Sequence, residues 1–141
     1  MTFEWGDFHK LAEELLTLSG NLPQAKFRSS VSRAYYAAFH ALENCGKKHF
    51  GYAYDKDRRK THHDDLISEM AKASSPEVRK AAIELENLKW ERSRADYKPQ
   101  KEYSREIVCK ALLAAKKIID IAVGISPVAN DVSSDIDQKD D

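Results

Sequence analysis

Residues 24–48 read "QAKFRSSVSRAYYAAFHALENCGKK". Phe27, Val31, Ala34, Tyr35, Ala38, Phe39, Leu42 and Cys45 recur at intervals of three and four, with Lys, Arg, Ser, Glu and Asn among the positions between them. That is the 3.6-residue period of an amphipathic helix, long enough to span a small domain. The same period appears on both sides. Over 3–19, Trp5, Phe8, Ala12, Leu15 and Leu16 form a stripe, and "SGNLP" (19–23) ends it: Gly20 suits a C-terminal cap and Pro23 the first turn of the next helix.

Downstream, "HFGYAYDKDRRKT" (49–61) has no helical period and reads as a loop. Thr61 or a neighbour can cap a third helix carrying Leu66, Ile67 and Met70, with Asp64 and Asp65 near its positive end. "SSP" (74–76) is a serine cap followed by proline, opening a helix through Val78, Ala82, Leu85 and Leu88 toward Trp90. Pro99 disfavours helix at Lys98. A last helix over roughly 101–123 carries Tyr103, Ile107, Leu112, Ala115, Ile118, Ile119 and Ala122, and Gly124 and Pro127 close it. With no alternating pattern of any length and no hairpin signal, the fold class is all-α. The expected architecture is an antiparallel up-and-down bundle of four to five helices.

The chain has 141 residues, one domain's worth, with 42% hydrophobic and 33% charged residues. The division expected is a helical domain over 1–126 and an acidic, disordered tail over 127–141. The net charge of zero hides an asymmetry: "DVSSDIDQKDD" (131–141) has five Asp and one Lys, leaving 22 basic against 18 acidic residues before it. A mildly basic body is compatible with nucleic acid without requiring it. The sequence shows neither a signal peptide nor an apolar run of the ~18 to 20 residues a membrane span needs. A cytoplasmic location with Cys45 and Cys109 as reduced thiols is the expectation.

Five glycines are scattered singly, which excludes a P-loop or dinucleotide fingerprint, and no cysteine pair has zinc-ligand spacing. "THHDD" (61–65) could bind a metal by composition, but adjacent residues on a helix do not face the same way. It reads as an exposed helix N-terminus with incidental histidines, so no metal and no cofactor is expected.

"KWERSRADYKP" (89–99) is more informative. Continuing the stripe Val78, Ala82, Leu85, Leu88 by helical steps reaches Arg92, with Asp96 four residues on. A core-edge arginine is costly unless paired or opening on a groove. Two readings follow. One is an internal Arg92–Asp96 pair; the other is a guanidinium at a cleft, where its planar donors suit phosphate or carboxylate. In the long helix, Arg33, Tyr36 and His40 share one side, either as polar-tipped packing groups or, for His40, as a catalytic base.

Three segments in this order, "SRAYYAAFHAL" (32–42), "THHDDLI" (61–67) and "RSRADY" (92–97), resemble a HEPN domain (higher eukaryotes and prokaryotes nucleotide-binding) over about residues 5–123. The resemblance implies a helical bundle, a homodimer, and RNA- or nucleotide-related work. Members are often metal-independent endoribonucleases of toxin–antitoxin or defence systems; others bind RNA or partners, often beside a minimal nucleotidyltransferase. The ribonuclease members carry an Arg followed four to six residues later by a His. The His assists proton transfer, the Arg stabilises the phosphorane, and dimerisation brings two such pairs into one cleft. Here Arg92 stands at the Arg position but no His follows it. Losing general acid–base help typically costs about 10² to 10⁴ in rate.

Three functions follow. The first is a binding module for RNA, a nucleotide or a partner protein, its cleft formed by Arg33, Tyr36, Arg92, Arg94, Asp96 and Tyr97. The second is an active endoribonuclease pairing Arg92 with a histidine from elsewhere, His40 or His62. The third is a structural, antitoxin-like partner.

Overall fold

A computed structural model describes residues 4–17 and 22–125, so the expected Gly20 cap and the acidic tail lie outside the described residues. Among the described residues five α-helices follow in order: α1 (Gly6–Thr17), α2 (Pro23–His49), α3 (His62–Met70), α4 (Pro76–Tyr97) and α5 (Arg105–Gly124), with one 3-10 turn at Lys56–Arg58. No strand occurs among the described residues. The all-α bundle expected from the periodicity is present.

The long second helix is the axle: α1, α4 and α5 pack on it and α3 leans against α4. Its apolar stripe becomes the core, where Val31, Ala34, Tyr35, Ala38, Phe39 and Leu42 meet Leu66, Val78, Leu85, Val108 and Ile118. Two of the buried polar side chains are tied to backbone. Ser30 donates its hydroxyl to the Ala12 carbonyl at 2.7 Å, and His9 bonds the Leu112 carbonyl at 3.0 Å through Nε2. These two bonds fasten α1 to α2 and α5, satisfying groups that would otherwise be buried without partners.

The caps follow the sequence. Thr61 accepts from Asp64 N at 3.2 Å, and Ser75 accepts from Val78 N at 3.3 Å with Pro76 in the first turn. The last helix starts later than the periodicity suggests. Ser104 caps it by accepting from Ile107 N, while Tyr103 sits ahead of the helix, buried, exchanging two backbone bonds with the Gln24 amide at 2.7 and 2.9 Å. Trp5 likewise precedes α1 rather than joining its stripe.

"THHDD" is not an incidental exposed end. Asp65 is fully buried and receives Arg58 through Nε at 2.6 Å and Nη2 at 2.9 Å, plus the Tyr52 hydroxyl at 2.9 Å. The loop over 49–61 is therefore pinned to α3 by a two-pronged, charge-assisted bond. Nearby, Gly46 lets this loop approach α2: a Cβ there would lie 3.0 Å from Met70 Sδ and 3.1 Å from Tyr52 Cβ.

Candidate functional site

The last turns of α4 face the first half of α2. Arg92 projects from that face, its side chain only 15% exposed, and its Nη1 donates to Asp96 Oδ2 at 3.1 Å and to the Tyr36 hydroxyl at 3.3 Å. The guanidinium carbon lies over two rings, 5.3 Å from the centroid of Tyr35 and 5.5 Å from that of Tyr36. Cation–π attraction and an i,i+4 carboxylate thus hold one cation on an aromatic floor. The Nε of Arg92 is buried with no hydrogen-bond partner, so the group's donor capacity is incompletely used.

Beside this cation a groove of about 470 Å³ opens between the two helices, lined by Arg28, Ser29, Ser32, Arg33, Tyr36, Ala95 and Asp96. Arg92 stands one layer behind the wall, bonded to the two wall groups Tyr36 and Asp96. Arg33 is exposed at the rim, its guanidinium 5.4 Å over the Phe8 ring. A neighbouring groove of about 540 Å³ shares Arg28, Ala95 and Asp96 and continues past Tyr97, Pro99 and Lys101. Arg28, which the periodicity did not single out, clamps the end of α4. It donates to the carbonyls of Ala95 (2.8 Å), Arg94 and Pro99, and makes a short contact with that of Lys101. A cation on the last carbonyls of a helix is favoured by the helix dipole.

Of the residues expected at a cleft, the structure gathers Arg33, Tyr36, Arg92 and Asp96 around one groove and Tyr97 around its extension. Arg94 turns its side chain away toward Glu91 at 3.5 Å, and only its carbonyl takes part, through Arg28. His40 is elsewhere. Its ring stacks on Trp5 at 3.5 Å and its Nδ1 lies 3.3 Å from Glu43; burial pushes its pKa down. None of those partners lines the groove. His62 sits 2.6 Å from Glu43 through Nε2, without the alignment of a hydrogen bond, and stacks on Tyr54.

The imidazole that does approach Arg92 is His63. Its Nδ1 is 2.6 Å from the Tyr35 hydroxyl and its ring stacks on Phe39 at 4.2 Å, so it shares with Arg92 the Tyr35 ring. Burial, reinforced by the positive charge of Arg92, pushes the His63 pKa down to about 4. Burial also raises the Tyr35 phenol. His63 is thus neutral near pH 7. Among the described residues no group of three or more His, Cys, Asp and Glu could hold a metal ion, and no histidine lines the groove. The groove presents guanidinium and hydroxyl groups, which suit an anion, and one competing carboxylate.

An all-helical bundle with a shielded arginine at a groove between its long second helix and the end of its fourth defines a class of small helical domain. The family model of the HEPN domain matches residues 8–126, and the chain belongs to that family. Its work is therefore nucleotide- or RNA-related in the general sense that the family implies. Comparison with curated proteins and with solved structures gave no match. No helix of the described residues is long and apolar enough to cross a membrane.

Proposed function

We propose that the protein is a dimeric HEPN module that binds RNA or a nucleotide through phosphate at the α2–α4 groove, without cutting it. One observation carries this reading. Arg92 is held on the rings of Tyr35 and Tyr36 with an unsatisfied Nε, while the residues that follow it (Ser93 to Pro99) supply no imidazole. A phosphate entering the groove exchanges with Asp96 for the Arg92 donors and meets Arg33 at the rim. A setting in the cytoplasm, in a toxin–antitoxin or defence system with a minimal nucleotidyltransferase as partner, fits the family and is part of the same proposal.

A second reading, metal-independent endoribonuclease, is favoured by His63, which shares the Tyr35 ring with Arg92. Incubating end-labelled single-stranded RNA with the purified protein and a chelator separates the two. The binding reading expects retarded but intact RNA. Cleavage that disappears in both Arg92→Ala and His63→Asn, with both variants still folded, would establish the second.

A further inference from the structure

The groove beside Arg92 does not stop at the last turn of α4. Arg28, Ala95 and Asp96 border both it and the neighbouring groove of about 540 Å³, so the two form one channel. Its halves differ in chemistry. The first offers the Arg33 guanidinium and the hydroxyls of Ser29, Ser32 and Tyr36. The second offers the Tyr97 ring, Pro99 and the Lys101 ammonium.

Tyr97 differs from the other tyrosines nearby. Tyr36 is held under the Arg92 guanidinium, and Tyr103 is buried with Arg28 and Lys101 over its ring. Tyr97 is 71% exposed and, among the described residues, makes no hydrogen bond, ion pair or ring contact. A lone exposed ring on a plain surface needs no explanation. This one borders a channel, and cations stand close to it in the chain, at Arg94, Lys98 and Lys101. An open aromatic face set among basic residues is what a single strand of nucleic acid uses: the cations track its phosphates and the ring takes a base.

Charge alone is a weak attraction here. Two carboxylates, Asp96 and Glu102, line the channel against Arg28, Arg33 and Lys101, and Arg28 already serves the carbonyls at the end of α4. One stacked base adds roughly 5- to 150-fold in affinity, enough to dominate such a balance. A base inside a duplex is covered on both faces by its neighbours, so only an unpaired base can lie on the ring.

We infer that Tyr97 is the base platform of this channel and that its ligand is single-stranded RNA. A phosphate sits in the first groove beside Arg33 and Tyr36, and an unpaired base of the same strand lies flat on the Tyr97 ring. This role rests on the first groove being a phosphate site, and it adds what that site alone lacks, a means of telling a base-bearing strand from any other polyanion.

Anisotropy titrations with two labelled probes of roughly ten units test it. One is single-stranded RNA; the other is an abasic ribose–phosphate chain of equal length, with the same charge and no bases. The wild type is expected to bind the RNA roughly fivefold or more tightly than the abasic chain. Tyr97→Ala, with circular dichroism as the folding control, is expected to bring RNA down to the abasic level. Its salt slope should stay that of the wild type, because a stacked base releases no counterions. Tyr97→Trp is expected to keep the preference, and Arg92→Ala to weaken both probes alike. On the RNA annealed to its complement, Tyr97→Ala is expected to change nothing. Equal, salt-sensitive binding of both probes by the wild type overturns the platform and leaves the phosphate site standing, as does a preference that survives Tyr97→Ala. A loss in Tyr97→Ala as large on the duplex overturns the requirement for an unpaired base. Binding of neither probe overturns the platform and the phosphate site together.

Discussion

Arg92 on α4 and Tyr36 on α2 are joined by a hydrogen bond of 3.3 Å, and the same guanidinium lies over the Tyr36 ring at 5.5 Å. The tyrosine thus fixes both the direction and the depth of the arginine. The contact also couples the groove to the packing of its two helices: anything that shifts Arg92 moves a wall residue. Asp96 supplies the opposing pull at 3.1 Å.

From that balance follows the effect of Asp96→Asn. Removing the carboxylate frees Arg92 donors and takes a negative charge out of the wall. An i,i+4 pair of this kind is worth only about 0.3 to 0.5 kcal/mol to the helix, so folding is little affected. RNA affinity is expected to rise roughly 3- to 10-fold, on the order of 1 kcal/mol. Fluorescence anisotropy of a labelled oligonucleotide measures it. Unchanged affinity would mean that the pair is only a helix tie.

Asp65 sets the acid limit of the fold. Arg58 beside it, helped by the Tyr52 hydroxyl, holds its carboxyl down to about 2. Since that is below the ordinary carboxylate value of about 3.9, the stabilisation is complete above about pH 4 and is lost as pH falls toward 2. Asp65→Ala orphans the buried Tyr52 hydroxyl and leaves the partly exposed Arg58 with Asp55 and Glu69 as its remaining partners, and is expected to cost about 1 to 3 kcal/mol at neutral pH. Urea melts at pH 7 and pH 3 check both points: the wild type should lose stability between them by more than the variant does.

His63 acts in a higher window. Its folded pKa of about 4 lies below the ordinary imidazole value of about 6.5, so the unfolded chain takes the proton first. Stability is full above about pH 6.5 and declines as pH falls to 4. His63→Phe keeps the stack on Phe39 but orphans the Tyr35 hydroxyl, costing about 1 to 3 kcal/mol at neutral pH. Thermal melts across this window should show a flatter acid slope in the variant. Equal slopes would place the titration elsewhere.

Gly46→Ala puts two effects in opposition. Alanine gains about 1 kcal/mol of helix propensity over glycine. Its Cβ, however, meets Met70 Sδ at 3.0 Å and Tyr52 Cβ at 3.1 Å. Met70 can yield, but Tyr52 is anchored by its hydroxyl on Asp65 and its backbone N on the Gly46 carbonyl. Overpacking of about 1 to 3 kcal/mol therefore wins, and a lowered melting temperature is expected.

The local features of the fold were legible in the sequence. The stripe from Phe27 to Cys45, the Thr61 and Ser75 caps and the Pro76 start all depend on neighbours within a turn or two. The Arg92–Asp96 contact was legible for the same reason, being four residues apart. What escaped depends on partners distant in the chain. Arg28 finds its carbonyls 66 to 73 residues away, and Tyr35 finds His63 at 28. No period announces that the second histidine of "THHDD" points at a core tyrosine, or that the second aspartate is buried under an arginine from the loop. His40, conspicuous beside Tyr36 in sequence, is turned to Trp5, a contact set by how α1 enters the bundle.

The salt dependence of RNA binding tests most directly whether Arg92 is a phosphate ligand. Affinity of a labelled single-stranded RNA would be measured from roughly 50 to 200 mM salt for the wild type, Arg92→Lys and Arg92→Ala. The predicted result is weaker binding in the order wild type, Lys, Ala, with the slope of log K against log salt smaller by about 1 in Arg92→Ala. Identical affinities and slopes for the three folded proteins would contradict it.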